Sequence, residues 1–365
     1  MKRLGKALVL GDAMIPGELF APAFDLHLAD YVEAVHIGDW ETDWSQLQYR
    51  RLEVEKHGPE IESVPEDVRE APDAEILLGL FVPVSVAMLD ALPGLRIVGV
   101  CRAGLENVNL DEATARDIAV FNVQGRNAEA VSDFAIGLML AEARNIARAH
   151  HAIQKGEWRK SFHNDEAIPQ LRNKTVGIIG FGHIGQLVAQ KLSGFGVSII
   201  VHDPFIAPEV IEASGGRAVS KEELLTASDF VTIHARLSED TKGMIGAAEL
   251  SSMKLTSYLI NTGRSGLVDQ DSLEDVLAAG GIAGAGLDVF PTEPLPADSR
   301  LRQLDNVTLT THIAGTTTEV LTNSPFLLME DVRRLLEDDE PRFVVNPEVL
   351  QRTSFASWLE QIQSG

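Results

Sequence analysis

Three polar side chains of complementary chemistry, Arg264, Glu293 and His312, stand in the short segments INTGRSGLVD, LDVFPTEPLP and LTTHIAG. An arginine grips a carboxylate through two parallel N–H donors, and a histidine exchanges protons near neutral pH. A neighbouring carboxylate orients such a ring and favours its cation. Alone, each residue has a plainer reading: a surface cation, a turn acid, a packed strand histidine. Together they make a set that could hold an acidic substrate and move a proton. A metal-ligand reading of His312 fails on spacing, because no second histidine lies at i+3 to i+5 and its neighbours offer only hydroxyls.

What must position this set is visible upstream. The segment TVGIIGFGHIGQLVAQKL (175 to 192) begins as an apolar strand, turns through Gly180, Gly182 and Gly185, and continues as a helix. Glycines at those places permit a tight turn and close backbone approach, and the helix start offers free N–H groups to a pyrophosphate. A second strand, VSIIV (197 to 201), ends at Asp203, 18 residues beyond Gly185. An acid there accepts hydrogen bonds from both ribose hydroxyls and repels an extra phosphate, so NAD is expected over NADP. Pro204 follows where an NADP site would place an arginine. His183, inside the loop, is expected to face solvent or the cofactor, with no catalytic role.

Further strand and turn units, FVTIHA (230 to 235), SYLINTG (257 to 263) and GAGLDVF (284 to 290), alternate with helical stretches such as QDSLEDVLAAG. This alternation predicts an α/β fold with a doubly wound parallel sheet, the Rossmann arrangement. Ligands of such sheets lie beyond the carboxyl ends of the strands, which is where Arg264, Glu293 and His312 stand. Residues 1 to about 122 repeat the pattern with weaker glycine signals in KALVLG, YVEAVHIG, AEILLGLF, LRIVGVC and IAVFNV. They predict a second doubly wound parallel-sheet domain of flavodoxin-like type.

Bulk properties narrow the function classes. A chain of 365 residues exceeds one ordinary core, so two domains are expected. Its net charge of -23 would repel a phosphate backbone, and nucleic-acid binding is not expected. The N-terminal apolar run is short and broken by Gly11 and Asp12, so neither a signal peptide nor a membrane span is expected. One cysteine, Cys101, allows no internal disulfide and no cysteine-based zinc site, and a cytoplasmic setting is the simplest expectation.

The segments NAEAVSDFAIGLMLAEARNIARAH (127 to 150), VGIIGFGHIG, INTGRSGLVD, LDVFPTEPLP and THIAG occur in one order along nearly the whole chain. In these motifs the chain resembles the D-isomer-specific 2-hydroxyacid dehydrogenase family, which includes phosphoglycerate, glycerate and D-lactate dehydrogenases. The resemblance implies that Arg264 binds the substrate carboxylate and carbonyl, that His312 is the general acid/base, and that Glu293 is its partner. Reduction of a 2-oxo acid needs a hydride at the carbonyl carbon and a proton at the oxygen, which NADH and His312 would supply. The implied cofactor set is Gly180, Gly182, His183, Ile184, Gly185, Asp203, His234, Thr262, Gly263 and Asp288. Asp288 would contact the nicotinamide amide or influence the acid/base pair.

By the same resemblance the loop Arg102, Ala103, Gly104 would offer N–H groups to the substrate carboxylate, with Arg102 either binding a second acidic group or pairing with Glu106. Arg236 stands where the family commonly has proline. A glutamine in place of Glu293 marks formate dehydrogenases of this fold, which argues against formate.

The implied domains are 1–123 with 316–365 for substrate and 124–315 for NAD, the helix PFLLMEDVRRLLED (325 to 338) returning to the first. Hinges near Gln124 to Asn127 and near Gly315 would close a cleft. The apolar stretch 132 to 153 either packs within its own domain or forms a two-fold homodimer. Little chain follows the returning helix, so no added regulatory domain is expected. Phosphoglycerate-type, glyoxylate or hydroxypyruvate-type and sugar-acid substrates remain open. The alternative class is an NAD-sensing, corepressor-like interaction protein. The polar stretch 39 to 60 has no functional account.

Overall fold

Two runs of buried apolar strand alternate with helices along the chain, and each run forms its own parallel sheet. The computed structural model describes residues 3–363. One compact unit runs up to Arg126 and resumes at Thr317; a second spans Asn127–Thr316.

The first unit holds β1 (Leu4–Asp12), β2 (Val32–Glu41), β3 (Ala74–Gly79), β4 (Ile97–Val100) and β5 (Ala119–Phe121). Their order is β2-β1-β3-β4-β5, with every pairing parallel. This is the flavodoxin-type order. Inner strands such as β3, AEILLG, are covered on both faces and therefore read as nearly continuous apolar runs. Leu8, Leu77, Val98 and Phe121 share one core with Leu328, Met329 and Val332 of the helix Thr318–Leu336.

That helix begins well before Pro325, the residue expected to start it. Thr317 caps it, its hydroxyl accepting from Val320 N at 3.2 Å, and Pro325 sits inside the helix. The stretch 39 to 60 is folded. Asp43 accepts from Gln46 N at 2.8 Å and caps the helix Trp44–His57. Arg50 on that helix bridges Glu41 and Glu62 while lying 4.4 Å from the Trp40 ring centre.

The second unit holds β6 (Thr175–Ile179), β7 (Ser198–His202), β8 (Arg217–Ala218), β9 (Phe230–Ile233), β10 (Tyr258–Asn261), β11 (Gly284–Leu287) and β12 (Val307–Leu309). The order β12-β11-β10-β9-β6-β7-β8 is parallel throughout. It is the Rossmann order with one added strand, and the strand order reverses at β6, which lies between β9 and β7.

The apolar pattern of 132 to 153 is not one helix. It splits into Ala128–Ala143 and Ile146–Gln154 at Asn145, whose φ of +58° leaves the helical region. The first helix is a core element of its own unit: Ala135, Leu138 and Met139 pack with Val176, Phe230 and Tyr258. Its buried Glu142 receives both Nη2 contacts of Arg148, at 2.6 and 2.7 Å, and the Thr308 hydroxyl at 2.6 Å. No described helix is long and apolar enough to cross a membrane.

Candidate active site

The glycine turn lies at the carboxyl end of β6, beside the reversal of strand order. Gly180 has φ +89°, a conformation that favours glycine, and a Cβ there would run into the backbone of His234 and Ala235. A Cβ on Gly185 would strike the carbonyl oxygen of Gly180, so the helix His183–Leu192 can approach the turn only with glycine there. Gly182 faces open space, with nothing within 4 Å of a built Cβ. No side chain caps the helix that follows, which leaves the first-turn N–H groups, those of His183 and Ile184 among them, for an external anion.

Asp203 stands just past β7 and shapes this loop. Its Oδ2 accepts from Phe181 N at 2.7 Å and its Oδ1 from Phe205 N at 2.9 Å. Each oxygen keeps a second lone pair for a ribose hydroxyl. An open cavity of about 460 Å³ adjoins it, lined in part by Val201, Ile206 and Val219.

Two buried polar atoms beyond neighbouring strands have no partner: His234 Nδ1 after β9 and Thr262 Oγ1 after β10. Natural proteins rarely leave such atoms unpaired, and a dinucleotide bound along these strand ends would supply acceptors and donors. The His234 ring is fixed by a 2.9 Å contact between Nε2 and Thr232 Oγ1, and burial pushes its pKa down to about 4. It is therefore neutral at physiological pH. Open glycine cradle, uncapped helix, Asp203 and these orphaned atoms all fit a dinucleotide cofactor.

Arg264 follows β10 on a turn shaped by Asn261, whose amide donates to Arg264 O at 3.1 Å and whose oxygen accepts from Gly263 N at 3.0 Å. The arginine side chain is exposed, touches Gly263 O at 2.9 Å, and meets no carboxylate within ion-pair distance among the described residues. Asn261 was not among the expected site residues; its place in the INTGR segment was the available signal.

Glu293 and His312 meet. His312 Nδ1 lies 2.7 Å from Glu293 Oε2, and Glu293 Oε1 accepts from Phe290 N at 3.0 Å. The loop after β11 thus carries the acid and the loop after β12 the imidazole. Nδ1 is committed to the carboxylate, so Nε2 is the nitrogen left for a substrate. Asp288, the first residue past β11, has no exposed surface and is bonded to the chain around His312.

In the first unit, Arg102, Ala103 and Gly104 follow β4. Arg102 Nη2 lies 3.0 Å from both Glu106 and Glu55, so the Glu106 pairing is realised and a second acid joins it. Ala103 O accepts from the Asn122 amide at 2.7 Å. A Cβ on Gly104 would meet only the flexible side-chain ends of Glu106 and Arg102. Cys101 is fully buried, and burial pushes its thiol up, away from the reactive thiolate. Arg236 is exposed, with Arg236 O accepting from the Thr241 hydroxyl at 2.7 Å.

Residues 136–314 match the family model described as D-isomer specific 2-hydroxyacid dehydrogenase, NAD binding domain. The chain is 36% identical over 286 residues to a glyoxylate reductase of Korarchaeum cryptofilum, a match covering 78% of this chain and 86% of that protein. It is 34% identical over 307 residues to a D-3-phosphoglycerate dehydrogenase of Archaeoglobus fulgidus, covering 82% of this chain but only 58% of that protein. Among solved structures, the TT0316 protein of Thermus thermophilus is similar with TM-score 0.71 and 26% identity, covering 93% of this chain and 99% of the other.

Proposed function

The chain belongs to the D-isomer specific 2-hydroxyacid dehydrogenase family, and from that premise we propose that Arg264 binds the substrate acid, His312 exchanges the proton and Glu293 holds His312. The enzyme is an NAD-dependent oxidoreductase. Bound NADH supplies the hydride for the carbonyl carbon. His312, protonated, gives its Nε2 proton to the carbonyl oxygen as negative charge develops there, and takes it back in the reverse direction. Arg264 holds the carboxylate with paired N–H donors and sets which face of the carbonyl is presented. The 2.7 Å contact of His312 Nδ1 with Glu293 carries this reading.

We read the first unit as the substrate domain, whose Arg102, Ala103 and Gly104 contribute N–H groups to the substrate carboxylate. In the second, Gly180, Gly182, His183, Ile184, Gly185, Asp203, His234, Thr262, Gly263 and Asp288 form the NAD site. A small 2-oxo acid of the glyoxylate or hydroxypyruvate type is the best-supported substrate. The glyoxylate reductase is matched over 86% of its length, the phosphoglycerate dehydrogenase over 58%. Glu55 and Glu106 also offset the charge of Arg102 that a second acidic group would need. The NAD-sensing alternative is not favoured, since both relatives carry enzyme names.

NADH oxidation with glyoxylate, hydroxypyruvate, pyruvate and 3-phosphohydroxypyruvate tests the reading. The highest kcat/KM is expected for one of the first two. No turnover with any of them, with NADH still bound, overturns it.

We further propose a cytoplasmic homodimer. Ile146, Ile153 and Trp158 are 55%, 60% and 79% exposed on and just after the helix Ile146–Gln154, an apolar face suited to a second copy. A monomeric mass at micromolar concentration refutes the dimer. Recovery of the protein outside the cytoplasmic fraction of its cells refutes the location.

A further inference from the structure

The crevice at the reversal of strand order has two walls, the glycine turn after β6 and the loop after β9. They run side by side. His234 N donates to Ile179 O at 2.7 Å, and a Cβ on Gly180 would lie 2.5 Å from Ala235 N. Arg236 is therefore the first residue of the second wall past the turn. Its backbone is held there, because the Thr241 hydroxyl donates to Arg236 O and accepts from Ser238 N, both at 2.7 Å. Leu237 packs on the turn after β10, where a Cβ on Gly266 would lie 3.2 Å from its side chain, and Gly243 N donates to Gly266 O at 2.7 Å. Arg236 itself is exposed, and its side chain meets no carboxylate within ion-pair distance among the described residues.

The pyrophosphate of a dinucleotide is a dianion, and a chain of net charge -23 repels it at long range. The uncapped start of the helix His183–Leu192 offsets only about half of one charge. The remainder calls for a cation. Between the strands of this sheet and the helices that follow them, the lysines and arginines among the described residues are Arg236, Lys242 and Arg264. Arg264 is assigned to the substrate acid. Lys242 lies beyond the turn that Thr241 closes, next to Gly243, which is bonded to the loop after β10. Arg236 stands beside the glycine turn.

We propose that Arg236 is a cofactor-binding residue, whose guanidinium pairs with the pyrophosphate of NAD from the β9 side of the crevice. This rests on the reading of the glycine turn as the phosphate site. A guanidinium suits the place because its planar fork gives parallel N–H donors to phosphate oxygens and keeps its charge at every physiological pH. The fold makes no use of this side chain, so its removal acts on binding and not on the turn.

Fluorescence titration of the full-length protein with NADH, with ADP-ribose and adenosine as competing ligands, tests this at low and high ionic strength. Arg236→Gln is expected to weaken NADH and ADP-ribose alike, roughly tenfold at low ionic strength, and to leave adenosine binding as in the wild type. The loss shrinks at high ionic strength, where the charge is screened. Arg236→Lys keeps the charge without the fork and recovers part of the affinity, while Lys242→Gln binds NADH like the wild type. An equal loss for adenosine, a loss independent of salt, or a lowered urea midpoint in Arg236→Gln overturns the proposal, since the side chain then serves the base or the fold. A wild-type NADH Kd in Arg236→Gln beside a weakened Gly185→Val overturns the proposal alone. An unchanged Kd in both variants overturns the phosphate-turn reading with it.

Discussion

Replacing Glu293 by glutamine removes one charge and keeps a hydrogen-bond acceptor against His312 Nδ1, so it isolates what the carboxylate contributes beyond orientation. The contact is short, 2.7 Å, but the side chains are 45% and 26% exposed, so water screens part of the attraction. A hydrogen bond to a charged partner contributes about 1.5 to 3 kcal/mol, and exposed pairs about 1 kcal/mol or less. The half-open geometry places the difference near 1 kcal/mol, which is roughly a fivefold fall in kcat. Glu293→Ala also frees the ring to rotate, adding a loss of orientation on the order of tenfold to a hundredfold.

Steady-state NADH oxidation at saturating cofactor, with the substrate that gives the best kcat/KM, reads both values. His312→Gln should be the most impaired, Glu293→Ala intermediate and Glu293→Gln the least. A glutamine variant as impaired as His312→Gln, or an alanine variant with full turnover, would refute the assignment of Glu293 as partner.

Three further outcomes follow from the geometry. Gly185→Val drives a side chain into the Gly180 carbonyl and should weaken NADH binding at least about tenfold by calorimetry; an unchanged Kd would contradict the phosphate-loop reading. His234 is held neutral with its pKa lowered from 6.5 to about 4, so the unfolded chain takes up a proton in that window while the folded protein does not. Its effect is absent above pH 6.5, and stability is lost as pH falls toward 4, by up to about 3 kcal/mol. Urea midpoints should show a shallower acid-side decline in His234→Gln than in the wild type, and parallel curves would contradict this. Arg148→Ala strands the buried Glu142 carboxylate and should lower stability by about 3 to 5 kcal/mol in urea titration. A loss under about 1 kcal/mol would show that the site admits water.

The parts of the molecule that repeat a local rule were legible in the sequence. A strand, three spaced glycines, a helix and a strand ending in an acid have one physical solution, and Gly180, Gly185 and Asp203 stand in it. Arg264, Glu293 and His312 could be placed past strand ends because the apolar runs stop where they begin. Departures arose where geometry depends on one residue or on distant partners. Asn145 breaks an apolar pattern that reads as continuous, since its left-handed conformation leaves no trace in hydrophobic periodicity. Thr317 starts a helix earlier than Pro325 suggested, because proline also marks helix starts. The two-residue strand β8 and the helix Thr353–Gln363 went unassigned, the first being too short to show a period. The grip of Asp288 on Ile313 and Ala314 joins positions 25 and 26 residues apart, which no local pattern reveals.

The role of His312 as carrier of the proton in hydride transfer is read from the kcat of His312→Gln for 2-oxo acid reduction beside its NADH Kd. A fall of about a hundredfold to ten-thousandfold in kcat is expected, with NADH binding unchanged. Turnover equal to the wild type would contradict it.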